Sequence, residues 1–132
     1  MKNATLEKEI RVQASNEQGI AGRLNKVIAQ EAKTNIKTFL GWEMDSQAHF
    51  AFITNDNQKV EEVLRKSEFN KYEENEVVVI RTTDQTGSLS EITNKISNAG
   101  VNIKYLFTTT YDSKPAVVIN SEDNRKVLSL FN

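Results

Sequence analysis

The chain has 132 residues, with 17 Lys and Arg against 18 Asp and Glu and a formal charge of −1. That length holds one ordinary domain or two very small ones, and that charge balance supplies no long-range field for a nucleic-acid backbone or an anionic membrane. Zero cysteines and one histidine remove disulfides, thiolate zinc, cysteine nucleophiles and a histidine-rich metal site together.

Met1 to Lys8 contain no apolar signal core, and the longest apolar run is Val77-Val78-Val79-Ile80, so a cytoplasmic protein without a membrane span is expected. In chain order, Ile10 to Ala14 read as a strand and Ser15 to Gly19 as a turn. Ile20, Leu24, Val27, Ile28 and Ala32 recur at helical spacing, and Asn35 to Leu40 read as a second strand. Phe50 to Ile53 return as the far arm of a hairpin that turns near Met44 to Gln47. Val60, Val63 and Leu64 mark a short helix, and Phe69 to Tyr72 read as a fourth strand.

From Val77 the order repeats. A strand to Arg81 leads into the turn Thr83 to Gly87 and a helix carrying Leu89, Ile92, Ile96 and Ala99. A strand from Asn102 to Phe107, a turn near Asp112 to Pro115, a strand from Ala116 to Ile119 and a helix with Val127, Leu128 and Phe131 follow. Asn35-Ile36-Lys37 recurs as Asn102-Ile103-Lys104 at an offset of 67 (102 − 35), and Gly19 as Gly87 at 68 (87 − 19). The pattern predicts an α+β chain of two ferredoxin-like βαββα(β) units in tandem, with antiparallel sheets and helices on one face. The units are residues 1–74 and 75–132, the second ending before a final strand, so another segment or subunit is expected to complete its sheet edge. Val77 to Ile80 and Ala116 to Ile119 are apolar on both faces, which calls for a cover on the helix-free side; a second chain is the simplest one, giving a homodimer or higher oligomer. Ser88-Leu89-Ser90-Glu91 has capping-box spacing, and Gly100 stands where a helix end favours positive φ. Lys33-Thr34 replaces that glycine in the first copy, so a different helix exit is expected there.

The string Asp84-Gln85-Thr86-Gly87-Ser88-Leu89-Ser90-Glu91-Ile92, followed by Gly100-Val101-Asn102-Ile103, resembles the ACT domain family. That family's first loop reads Asp/Asn-x-Pro-Gly-x-Leu-x-x-Ile, and its second strand opens with Gly-Ile/Val-Asn-Ile. From about Glu9 to Phe131 the chain resembles the stand-alone tandem ACT proteins, with Gln18 and Thr86 in place of the loop proline and Ala21 in place of the motif's leucine. The resemblance implies a non-catalytic regulatory protein that binds a free amino acid at the interface between ACT units, with a regulated enzyme as a further partner.

The residues have a physical reading beside that resemblance. Glycine at a strand-to-helix turn admits close approach to the backbone, and the helix start beyond Gly19 or Gly87 offers N–H groups to a carboxylate. Asn16, Asn35, Asp84 and Asn102 stand where the family places its ligand, and their side-chain oxygens suit an ammonium group. Gln18, Ile20, Thr86, Ser88 and Leu89 flank the glycines and complete the candidate set. Plainer readings stand next to these: a glycine as turn device, Asn102 as the end of an element, Glu61-Glu62 and Glu73-Glu74 as solvated acids. His49 lies on a strand without a converging Ser-His-Asp set, so no catalytic residue is assigned, and no metal or cofactor is expected. Gly19-Ile20-Ala21-Gly22 holds neither a Walker loop nor a full G-x-G-x-x-G. One alternative is a ligand-free structural or regulatory subunit that assembles with a partner enzyme or regulator. A further one is a single-stranded RNA-binding module, from the RNA-recognition-like strand His49-Phe50-Ala51-Phe52-Ile53. That strand lacks the leading basic residue and glycine, and Asn55 and Arg11 stand where aromatic rings are wanted.

Overall fold

The computed structural model describes residues 3–83 and 85–132. The elements are β1 (Ala4–Ser15), α1 (Ile20–Lys26) with a π-helical continuation (Val27–Ala32), β2 (Ile36–Met44), β3 (Gln47–Thr54), α2 (Asn57–Arg65), β4 (Tyr72–Arg81), α3 (Ser88–Asn98), β5 (Ile103–Tyr111), β6 (Lys114–Ser121) and α4 (Asn124–Leu130). The chain is α+β, and its contacts gather into two compact units: Lys8–Asn75, and Glu76–Asn132 together with the chain's start as far as Glu7.

In the unit Lys8–Asn75 the strands neighbour one another in the order β2-β3-β1-β4, which is the ferredoxin-like order. Ile10 pairs with Phe52 and Val12 with Phe50 across β1 and β3. Because side chains alternate along a strand, these residues share one face, and they pack with Leu24, Ile28, Val60, Leu64 and Phe69 in one apolar core. Each large side chain buried there contributes roughly 1.5–3 kcal/mol. Phe69, expected to open a fourth strand, lies instead in the turn before β4 and is fully buried.

The other unit has the neighbour order β1-β4-β6-β5, so the start of β1 takes the fourth-strand position that follows no element of the second repeat. Arg81 N–H donates to the Asn3 carbonyl at 2.8 Å. The Asn132 side chain reads the same segment as a peptide would: its Oδ1 accepts from Asn3 and Ala4 N–H at 3.0 Å each, and its Nδ2 donates to the Ala4 carbonyl at 3.1 Å. Ala4 joins Val78, Ile80, Ile92, Ile96, Val117, Ile119 and Val127 in the core. Tyr111 donates its hydroxyl to Glu7 Oε1 at 3.1 Å; burial, and next the Glu7 charge, push that phenol's pKa up, so it stays a neutral donor.

Two expectations need correction. Val77, Val79, Ala116 and Val118 are no more than 2% exposed within the single chain. The two-sided burial expected of these strands is therefore present within one chain and needs no second copy. The capping box is not formed either. Gly87 is the N-cap of α3, with φ 88° and no side-chain bond. Ser88 therefore stands inside the helix, and its hydroxyl turns back to Thr82 Oγ1 at 2.5 Å and to Thr83 N–H at 3.3 Å.

The true caps of the short helices are a repeated device. Asp56 and Asp123 accept from the N–H groups of Lys59 and Lys126 at 3.2 and 3.1 Å, while Asn57 and Asn124 hold the strand ends at Thr54 and Ser121 and the carbonyls of Lys8 and Glu76. At the end of α3, Gly100 has φ 77° and its N–H reaches the Ser97 carbonyl, with Val101 N–H on Ile96, the Schellman pattern. In the first copy Lys33 takes the same left-handed region at φ 53°, following the π-helical turn.

Candidate functional site

The loop between β4 and α3 borders a cavity of about 680 Å³ within the second unit. Its walls are Thr82, Thr83 and Gln85 after β4, Gly87, Ser88, Leu89 and Ser90 at the start of α3, Thr108 to Thr110 on β5, and Pro115 to Val117 on β6. Gly87 makes the turn possible, since its left-handed φ is open to residues without a Cβ. Ser88 N–H is taken by the Gln85 carbonyl at 3.2 Å, and Glu91 N–H by the Gly87 carbonyl at 3.0 Å. The N–H groups of Leu89 and Ser90 lie between these and have no acceptor one turn back within the helix. The positive end of the 11-residue helix α3 adds to them. Around this start the described walls carry hydroxyls, one carboxamide and apolar surface, and no ionised side chain. Such a surface can hold a carboxylate at the helix start, hydrogen-bond a polar neutral group, and cover an apolar one with Leu89 and Pro115.

Of the residues singled out by sequence, Gly87, Ser88 and Leu89 come together here. Thr86 is exposed in the loop, and Asp84 lies outside the described residues. Asn102 precedes β5 at the end remote from the hairpin turn, where its carbonyl accepts Glu122 N–H at 3.0 Å. With about 3.3 Å per strand residue, that places it on the order of 20 Å along β5 from Thr109. Asn35 does the same for Asn55 N–H in the first copy. Both asparagines therefore anchor strand starts and are not brought to a glycine loop. Asn16, Gln18 and Gly19 are exposed in the first loop, and Ile20 is a core residue packed with Leu24. Sequence reasoning missed the hydroxyl-bearing walls. Thr82-Thr83 and Thr108-Thr109-Thr110 were the available signal, since both groups end strands that the repeat places beside Gly87.

Among the described residues no group of three or more His, Cys, Asp or Glu is arranged to hold a metal ion, and no helix is long and apolar enough to cross a membrane. In the first unit, Glu61 on α2 is pushed up to about 7 by burial first and then by its hydrogen bond and like charge with Glu74, against a weaker opposing pull from Arg65.

No family model matches the sequence, and no curated protein matches it significantly. Solved structures do match in fold. A protein from Bacteroides thetaiotaomicron superposes with a TM-score of 0.81 at 23% identity, over 97% of this chain and 88% of that one. The regulatory subunit of aspartate kinase from Thermus flavus gives 0.67 at 16% identity, over 98% and 94%. The ligand-free form of the same subunit from Thermus thermophilus gives 0.69 at 16% identity, over 97% and 93%. At these identities the likeness shows the fold alone, a pair of ferredoxin-like units.

Proposed function

We propose that the chain is a non-catalytic regulatory protein that binds a free amino acid in the cavity at the start of α3. The observation that carries this reading is the junction of two features in one cavity: helix-start N–H groups at Leu89 and Ser90, and neutral walls of Thr and Ser hydroxyls. The α-carboxylate sits on those N–H groups, Gly87 leaves the approach clear, and Asp84 receives the ammonium. The ligand's own side chain is uncharged, because a buried charge without a partner is costly. An ACT-like unit of a second copy closes the open side, and the regulated partner is an enzyme. Regulation is supported by the description of the Thermus relatives in fold as regulatory subunits of aspartate kinase.

Calorimetric titration tests the reading. An uncharged amino acid is expected to bind, and its deaminated and amide-blocked analogues to bind about ten-fold or more weakly, each having lost a charge-assisted hydrogen bond of roughly 1.5–3 kcal/mol. Asp84→Asn is expected to narrow the gap between the amino acid and its deaminated analogue. Equal affinity of the wild type for those two compounds overturns the proposed role of Asp84.

A further inference from the structure

Arg81 ends β4 immediately before Thr82 and Thr83, the first walls of the cavity. In register it lies beside Ala116 on β6, and Ala116 beside Thr109 on β5, so the three form one row across the strands. Alternation puts that row, and Tyr111 two residues beyond Thr109, on the sheet face opposite the core residues Ile80 and Val117. Arg81 is not itself a wall of the cavity; it passes the short, fully buried Ala116 to reach the tip of the β5–β6 hairpin. There its Nη1 donates to the Tyr111 carbonyl and its Nη2 to Asp112 Oδ2 at 3.3 Å, and the guanidinium lies 5.4 Å from the centre of the Tyr111 ring. Tyr111 is 2% exposed, and its hydroxyl is held by Glu7. The first copy has neither group. In register with Arg81 and Tyr111 it carries Gln13 (81 − 68) and Met44 (111 − 67), and Met44 is 50% exposed. Its hairpin nevertheless closes through the same left-handed turn, with φ 54° and 63° at Asp45-Ser46 against 51° and 64° at Asp112-Ser113.

We propose that Arg81 is a positioning residue for the amino-acid site, setting the hairpin wall of the cavity against the wall at the start of α3. The proposal rests on the reading of this cavity as an amino-acid site. Thr82 to Ser90 follow Arg81 directly in the chain, whereas Thr108 to Thr110 and Pro115 to Val117 belong to the hairpin whose tip it grips. One side chain thus joins the two walls from behind. The charge-assisted bond to the Tyr111 carbonyl and the ring contact supply the grip. The Asp112 pair adds little, because the Asp112 side chain is half exposed. Since the first hairpin forms the same turn with Gln13 and Met44, turn formation does not call for the grip. What the grip adds is a preset gap between the walls, so that binding does not have to order a loose hairpin.

The test is calorimetric titration of the full chain with glycine, L-alanine, L-serine, L-threonine, L-valine and L-asparagine in turn, for wild type, Arg81→Gln and Arg81→Lys. The tightest binder to wild type is expected to bind Arg81→Gln about ten-fold or more weakly, the equivalent of one charge-assisted hydrogen bond. Arg81→Lys, which keeps one donor and the charge, is expected to recover part of that loss, and it carries the test should Arg81→Gln fail to fold. Hydrogen exchange separates positioning from general support. Without amino acid, the amides from Thr110 to Lys114 should exchange faster in the variants than in wild type, while those of Val79 and Val118 stay unchanged. Saturation with the same amino acid should then slow the hairpin amides more in the variants than in wild type. Wild-type affinity in both variants, or faster exchange spread evenly over β4 and β6, overturns the role of Arg81 while leaving the amino-acid site standing. Failure of wild type to bind any of the six compounds overturns the site and the role of Arg81 with it.

Discussion

Gly87 serves the backbone and, in the proposed reading, the ligand as well. Its φ of 88° lies where a Cβ is strained, yet a Cβ built there meets no atom within 4 Å. Valine at this position is therefore expected to cost about 1–2 kcal/mol of backbone strain rather than a clash, and to place a branched side chain over the N–H groups of Leu89 and Ser90. Calorimetry should show loss of amino-acid binding, and a thermal melt should show a folded protein with a modestly lower midpoint. Glu61 supports a pH prediction. Its folded pKa of about 7 lies above the ordinary 4.5, so between those values the folded state holds the proton more tightly than the unfolded one. The stabilisation from the protonated pair is present below about 4.5 and is lost as pH rises through about 7. Chemical denaturation from pH 5 to 8 should show stability falling in wild type, and Glu61→Gln should flatten the trend.

At the scale of elements, the helix starts show what local sequence encodes and where it misleads. The Thr54-Asn55-Asp56-Asn57 and Ser121-Glu122-Asp123-Asn124 segments form matching caps, and Asp123→Ala is expected to cost about 1 kcal/mol in a denaturant titration. The capping-box spacing at Ser88 failed because the left-handed Gly87 supplies the cap position and frees the serine hydroxyl for Thr82. Edge strands obey a different rule, since their partners come from distant sequence. Asn132→Ala removes three hydrogen bonds to Asn3 and Ala4, which should cost about 1–3 kcal/mol in total. Hydrogen exchange should speed up at Ala4 and at its neighbours in β1 more than in β3.

For the whole molecule, two strands serve two units each. β1 runs from Ala4 in one unit to Ser15 in the other, and β4 from Tyr72 to Arg81 likewise. The apolar middle strands are already buried in one chain, so a second copy is motivated by the open cavity and by the half-buried Tyr105, Leu106 and Phe107 on the edge strand β5. Light scattering is expected to give at least twice the 15.0 kDa chain mass at micromolar concentration. A 15.0 kDa species under those conditions removes the second copy from the proposed site.

The repeat, its ferredoxin-like order and the glycine turn at α3 were all legible in the amino acids, because each rests on local causes: alternation along strands, 3.6-residue spacing, and a φ that glycine adopts most readily. The edge strand at Ala4 was written there too, in the alternation of Ala4, Leu6, Ile10, Val12 and Ala14, but Lys8 interrupts it at the point where β1 passes from one unit to the other. What only the tertiary structure decided was distance. Asn102, singled out by the sequence resemblance, lies a strand's length from the cavity, while Thr109 and Ala116, unmarked by any motif, stand among its lining residues. Register across a hairpin sets which side chains stand opposite one another, and it does not exist until the strands pair.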